Sequence, residues 1–260
     1  AWRWGRSQVP LEFATASATP SAAGLQGWRG PLAWTALALV PSSLLLGVTT
    51  HLTTDIASVP LLWVVPLALY LLTWILAFAN RRLLATTVVA RIFAIAVVGW
   101  LLATMAEATE PAWALVLLHL STFSLASWMC HARLADLRPP PERLTAFFLY
   151  LSLGGVLGGM FNTLLAPVIF DDLSEYPLAM LAAASAMPAL LPGRSLRPGW
   201  RDLAVAAAIG GMCAVAIVAL PLPDGPVRTV LVFGLPAIVA YATVRRPQRF
   251  TLAVASILLA

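Results

Sequence analysis

Charge is scarce in this chain, which holds 16 basic and 11 acidic residues among 260 and no lysine at all. A water-soluble domain carries about a quarter charged residues, so 10% cannot coat a soluble surface. That shortage excludes a soluble globular enzyme and a disordered chain. The net charge of +5 does not point to nucleic acid, because the arginines stand in short groups between apolar runs rather than forming a continuous groove. Cysteine is nearly missing too. Cys130 and Cys213 lie in separate apolar stretches, which excludes a disulfide framework and a spaced metal cluster. What remains is 60% apolar residues and a mean hydropathy of +0.88. The composition is that of a polytopic membrane protein whose first partner is the lipid bilayer.

Eight runs are long enough to cross a bilayer, at Leu32–His51, Val59–Ala79, Leu83–Ala106, Pro111–Cys130, Leu144–Phe170, Tyr176–Leu191, Leu203–Leu220 and Val227–Val244. A ninth begins near Phe250 and stops after about three turns. Pro188 and modest length mark the Tyr176 run as a tilted or re-entrant element. The expected fold class is therefore all-α, a helical bundle of eight spans plus a truncated ninth. Residues 1–31 read as a cytoplasmic linker and 32–260 as the transmembrane domain. Both ends look cut, which suggests an interior segment of a longer protein.

The connecting loops alternate in charge. Arg3, Arg6 and Arg29 precede the first run, Arg81 and Arg82 follow the second, and Arg133, Arg138 and Arg143 follow the fourth. Arg194, Arg197 and Arg201 follow the sixth, and Arg245, Arg246 and Arg249 the eighth. The opposite loops carry Asp55, then Glu107 and Glu110, then Asp171, Asp172 and Glu175, then Asp224 with a single Arg228. The positive-inside rule puts the arginine set, and the N-terminus, in the cytoplasm. Arg91, inside the third run, is expected to snorkel to the headgroups or to mark an interfacial start.

Few residues have the chemistry for a site. His51 and Asp55 close the first run four residues apart, on one helical face, and threonines repeat that spacing at Thr49/Thr53 and Thr50/Thr54. A carboxylate beside an imidazole fixes its tautomer and suits a proton relay or cation recognition; the bland alternative is a helix end meeting water. His119, in the middle of the fourth run, must face the bundle interior and find a partner there. In the fifth run Gly154/Gly158 and Gly155/Gly159 form two small-xxx-small pairs that let a neighbouring backbone approach, and Asn162 extends the first pair by one turn. These glycines do not make a dinucleotide fingerprint, since Val156 occupies its third position. Cys130-His131 lacks the spaced partners of a zinc site. No catalytic residue, metal site or cofactor is expected in this segment.

Several motifs resemble one family. Pro41-Ser42-Ser43-Leu44-Leu45-Leu46-Gly47-Val48-Thr49-Thr50-His51, running on to Thr54-Asp55-Ile56-Ala57 and Pro60-Leu61-Leu62-Trp63-Val64-Val65-Pro66-Leu67, is similar to the membrane region of bacterial membrane-bound spermidine synthase-like proteins. So are Cys130-His131-Ala132-Arg133-Leu134-Ala135, the stretch from Tyr150 through Gly159 to Asn162, Leu164-Leu165-Ala166-Pro167 and Glu175-Tyr176-Pro177-Leu178. The resemblance covers roughly Leu32 to Pro177 and implies a transporter-like bundle in the bacterial inner membrane. It further implies additional spans upstream and a fused cytoplasmic aminopropyltransferase-like domain, using a decarboxylated adenosylmethionine donor, outside this chain. The bundle would then anchor that domain and supply its substrate or export its product. The competing reading is a stand-alone secondary transporter of the major-facilitator kind, for a small cationic or amphipathic solute. A membrane enzyme acting on lipid is disfavoured, because the cytoplasmic face offers only His131, Asp136, Glu142 and Asp202 among many arginines.

Overall fold

In hydrocarbon a backbone N–H or C=O finds no partner outside the protein, so long apolar runs must be helical. The computed structural model describes residues 28–56, 59, 61–79, 85–170, 174–188, 198–220, 223 and 225–260, and among them it contains helices and no strand. The helices are α1 (Arg29–His51), α2 (Val64–Phe78), α3 (Thr86–Met105), α4 (Ala112–Asp136) and α5 (Leu144–Met160). They continue with α6 (Ala166–Ile169), α7 (Glu175–Ser185), α8 (Trp200–Ala219), α9 (Pro226–Ala242) and α10 (Pro247–Leu258). α1 runs on through a π-helical turn, Leu52–Ile56, and a second such turn, Phe161–Leu165, joins α5 to α6. Pro167 lies just past that second turn. It has no N–H to donate, and its ring crowds the carbonyl four residues back, so a locally widened helix relieves both.

With these continuations, five helices among the described residues are long and apolar enough to cross a membrane: Arg29–Ile56, Thr86–Met105, Ala112–Asp136, Pro141–Ile169 and Trp200–Ala219. The other expected spans are shorter. α2, α7, α9 and α10 hold 15, 11, 17 and 12 residues, and at about 1.5 Å per residue α7 covers only about half of a 30 Å hydrocarbon core. α4 ends later than expected, at Asp136. Nothing in Ala132-Arg133-Leu134-Ala135 disfavours helix, and the first breaker is Pro139. The expectation that a loop begins at His131 is thereby corrected: that ring lies inside α4 and is fully buried. Residues 1–27, and with them nearly all of the linker, fall outside the described residues. So do Arg81, Arg82, Asp171, Asp172, Arg194, Arg197 and Asp224. Arg91 is exposed in the second turn of α3.

α1 and α4 are the central helices, α1 packing on α5, α4 and α7, and α4 on α1, α2 and α3. Around them α8, α9 and α10 pack on one another and reach α3 and α7. Leu44 and Val48 of α1, Leu52 of its π-helical turn, Phe93, Val97 and Trp100 of α3, Phe123 of α4, Met180 of α7 and Phe250 of α10 share one buried core. The opposite faces of the same helices are equally apolar. Val168 is 84% exposed and Val218 82%, and Ile75, Leu149 and Val215 also project outward. Helices apolar all round belong in lipid. Exposed tryptophans mark both ends, Trp28 and Trp200 at the start of α1 and α8, Trp63 and Trp113 at the start of α2 and α4. This is the distribution of an aromatic belt at two membrane–water interfaces.

Arginines gather at one end. There Trp34 Nε1 donates to the Leu137 carbonyl (3.1 Å), the Arg143 guanidinium lies 6.0 Å from the Trp34 ring, and Arg133 donates to the Ala186 carbonyl. Asp202 ties the starts of α8 and α10 together at the same end. Its Oδ2 accepts from the Gly199 N–H (2.9 Å), capping α8, and its Oδ1 accepts from Arg249 Nε (2.8 Å) with Arg246 at 3.6 Å. Gln248 Nε2 adds a bond to the Ser185 carbonyl at 3.0 Å.

Candidate functional site

The cluster begins at the end of α1. His51 Nδ1 donates to Asp55 Oδ2 at 2.7 Å, across the junction between α1 and its π-helical turn. The carboxylate only accepts, so this bond puts a proton on Nδ1 and leaves Nε2 facing outward from the pair. The threonines divide. Thr49 and Thr53 return their hydroxyls to the carbonyls of Leu45 (2.6 Å) and Thr49 (2.9 Å), four residues back, so their own helix satisfies them. Thr50 and Thr54 are exposed.

His119 joins this pair, although the sequence separates them by 68 positions (119 − 51). It stands seven residues into α4, about 10 Å from that helix's start, and its ring centroid lies 4.5 Å from that of His51. It faces the bundle interior, as its place in an apolar run requires, and it shares a level with the end of α1. Tyr176, the second residue of α7, completes the group. Its hydroxyl and His119 Nδ1 are hydrogen-bonded at 3.0 Å, and its ring stacks on His51 at 5.6 Å between centroids. Trp100 of α3 meets Tyr176 edge-on at 5.9 Å, and its buried Nε1 has no hydrogen-bond partner of good geometry. Polarity thus runs inward from exposed Asp55 through half-buried His51 to buried His119, Tyr176 and Trp100.

Gly47 keeps the meeting close. A Cβ there would come within 3.1 Å of Tyr176 Cβ and 3.3 Å of its Cα, so any larger residue would push α7 outward by a few tenths of an ångström. Sequence reasoning missed Tyr176 and Trp100. The available signal was Ser43/Gly47, a small-xxx-small pair one turn ahead of His51, which marks a face of α1 prepared for a neighbour.

The glycines of α5 hold the other side of α1. A Cβ on Gly154 would collide with the Thr35 carbonyl and the Ala38 side chain, and one on Gly158 would lie 2.5 Å from the Leu39 carbonyl oxygen. Gly155 and Gly159 have open space instead, so the expectation that all four pack is corrected for these two. A step of one residue turns a helix by about 100°, which takes the second pair off the contact face. The seam is closed by Ser42 Oγ donating to the Gly155 carbonyl (2.9 Å) and by Asn162 Nδ2 donating to Ser43 Oγ (2.7 Å). Asn162 therefore joins α5 to α1 rather than the histidine cluster.

A second polar group lies nearer the arginine end. His131 Nδ1 is 3.0 Å from Thr73 Oγ1 of α2, its ring stacks on Trp74 at 4.2 Å, and Tyr70 meets it edge-on at 5.1 Å. Thr73 gives its single hydroxyl proton to the Tyr70 carbonyl (2.7 Å), so it accepts from His131, whose Nδ1 carries the proton. Nε2 is then a buried acceptor with no partner. Among the described residues no group of three or more His, Cys, Asp or Glu side chains is placed to hold a metal ion.

No family model, curated protein or solved structure matches the chain.

Proposed function

We propose that this chain is the membrane domain of a bacterial spermidine synthase-like protein and that its His51–Asp55–His119–Tyr176 cluster recognises a small cationic solute of the polyamine class. In this reading the bundle supplies substrate to, or exports product from, a fused cytoplasmic aminopropyltransferase-like domain. The observation that carries the recognition step is the convergence of α1, α4 and α7 on one group of polar side chains. The exposed Asp55 carboxylate attracts a cation, and half-buried His51 links that carboxylate to the buried His119 and Tyr176. Polar groups held together between membrane helices are a costly arrangement that function accounts for. The motif resemblance from Pro41 to Pro177 supports the family half of the reading.

Equilibrium binding of radiolabelled spermidine to the full chain in lipid nanodiscs tests it. Wild type should bind spermidine saturably. Asp55→Asn should weaken binding about tenfold, the worth of one charge-assisted hydrogen bond. Identical curves for wild type, Asp55→Asn and His51→Ala would overturn the assignment.

The same proposal sets eight spans and a ninth across the inner membrane, with the arginine-bearing end in the cytoplasm and the cluster at the opposite face. Support comes from the shared end of Arg133, Arg143, Arg246 and Arg249 and from the positive-inside rule. Single cysteines at Pro140 and Glu110, in a background lacking Cys130 and Cys213, test the orientation. An impermeant maleimide on whole cells should label Glu110→Cys and spare Pro140→Cys; the reverse pattern would invert the topology.

A further inference from the structure

Asp202 is the one acidic residue in 198–220 and 225–260, and it is spent inside the protein. Its side chain is 9% exposed and already accepts from the Gly199 N–H and Arg249, with Arg246 beside them. Four guanidiniums gather around this carboxylate, because Arg201 precedes Asp202 and Arg245 precedes Arg246. Chain neighbours lie about 3.8 Å apart at Cα, so both extra arginines belong to the same junction of α8 with the α9–α10 turn. Both are exposed, and neither has a carboxylate partner among the described residues.

Charge balance separates this junction from the rest of the arginine end. At the turn from α4 to α5, Arg133, Arg138 and Arg143 are offset by Asp136 and Glu142, so three against two leaves a surplus of one. At the α8–α10 junction four against one leaves three. The surroundings indicate which anion answers that surplus. Trp200, 74% exposed, opens α8 beside the cluster, and the Arg201 guanidinium lies 5.5 Å from its ring centroid. An exposed tryptophan at a helix end sits at the level of the lipid headgroups. Just beyond it the surface turns to hydrocarbon, with Leu203 of α8 57% exposed and Ile238 of α9 66%.

We propose that the junction of α8 with the α9–α10 turn is a binding site for an anionic phospholipid, whose headgroup phosphate is bound by Arg201 and Arg245 while its acyl chains lie along the exposed faces of α8 and α9. A guanidinium suits this task, since its planar fork matches two phosphate oxygens at once. Asp202 holds Arg246 and Arg249 in place, and their charge adds to the attraction. A soluble anion would gain the charge and not the apolar contact. A zwitterionic lipid would gain the apolar contact, but its own cation offsets the phosphate. The site is separate from the His51–Asp55 cluster and does not depend on the function proposed for it.

Native mass spectrometry of the full chain in detergent tests the proposal, with phosphatidylglycerol and phosphatidylcholine of identical acyl chains titrated separately. Both lipids carry the phosphate and differ in net charge. Wild type should bind phosphatidylglycerol about 25-fold more tightly, about fivefold for each of the two exposed arginines. Arg201→Gln and Arg245→Gln should each lower that preference about fivefold, and the double variant should remove it. Arg138→Gln, at the α4–α5 turn, should leave it unchanged. Equal binding of the two lipids by wild type would overturn the proposal and leave the patch to an acidic protein surface; this result needs no variant to fold. A loss with Arg138→Gln as large as with Arg201→Gln would also overturn it, by showing a diffuse field instead of a site. Displacement of the bound lipid by millimolar inorganic phosphate would do the same, by showing a site for soluble anions.

Discussion

Gly158→Leu should be among the most destabilising single changes in the chain, while Gly159→Leu, one residue along, should be tolerated. At Gly158 a new Cβ meets the Leu39 carbonyl oxygen at 2.5 Å and the Ser42 Cβ and Ser43 N at 3.0 Å. Two of those three atoms are backbone, so α1 and α5 must separate, and with them the Ser42 and Asn162 hydrogen bonds that bridge the seam. Overpacking a tight contact typically costs about 1–3 kcal/mol, and a contact made by backbone belongs at the upper end. At Gly159 nothing lies within 4 Å of the added Cβ. Thermal unfolding in detergent, on both variants and wild type, gives the comparison. Equal losses for the two would mean that α1 and α5 do not pack as described.

Tyr176→Ala should cost about 3–5 kcal/mol, the usual range for truncating a fully buried aromatic residue to alanine. The ring lies between Gly47, His51, His119 and Trp100, so its loss opens the junction of α1, α3, α4 and α7 together. Tyr176→Phe keeps the ring and removes only the partner of His119 Nδ1. Hydrogen bonds between membrane helices average near 0.6 kcal/mol, so this variant should lose about 1 kcal/mol at most. Chemical unfolding of both variants checks the ordering. A Phe variant as unstable as the Ala variant would mean that the hydroxyl, not the packed ring, holds the junction.

Much of the architecture was legible before any coordinates, because lipid leaves the backbone few choices. Charge scarcity and long apolar runs require helices, and the arginine groups mark one set of helix ends. The lengths of α2, α7, α9 and α10 were not legible. Pro188 was a visible breaker in the Tyr176 run, but hydropathy reports where a run is apolar and not where the helix within it ends. The pairing of His51 with Asp55 could be read from a spacing of four. The approach of His119 and Tyr176 could not, since it depends on how α1, α4 and α7 cross. The division of the four glycines of α5 was also out of reach: two pairs at identical spacing look alike until the facing helix selects Gly154 and Gly158. His131 was read by its neighbour Cys130, in a search for metal spacing, and its true partners Thr73 and Trp74 come from a different helix.

The central claim is that Asp55 and His119 belong to one recognition site although they come from different helices. A double-mutant cycle on spermidine binding at neutral pH measures this directly, using Asp55→Asn, His119→Phe and the double variant in nanodiscs. A shared site predicts that each single change weakens binding and that their free-energy costs fail to add by more than about 0.5 kcal/mol, because each disturbs what the other holds. Costs that add within that margin, or single variants that bind as wild type does, would contradict it.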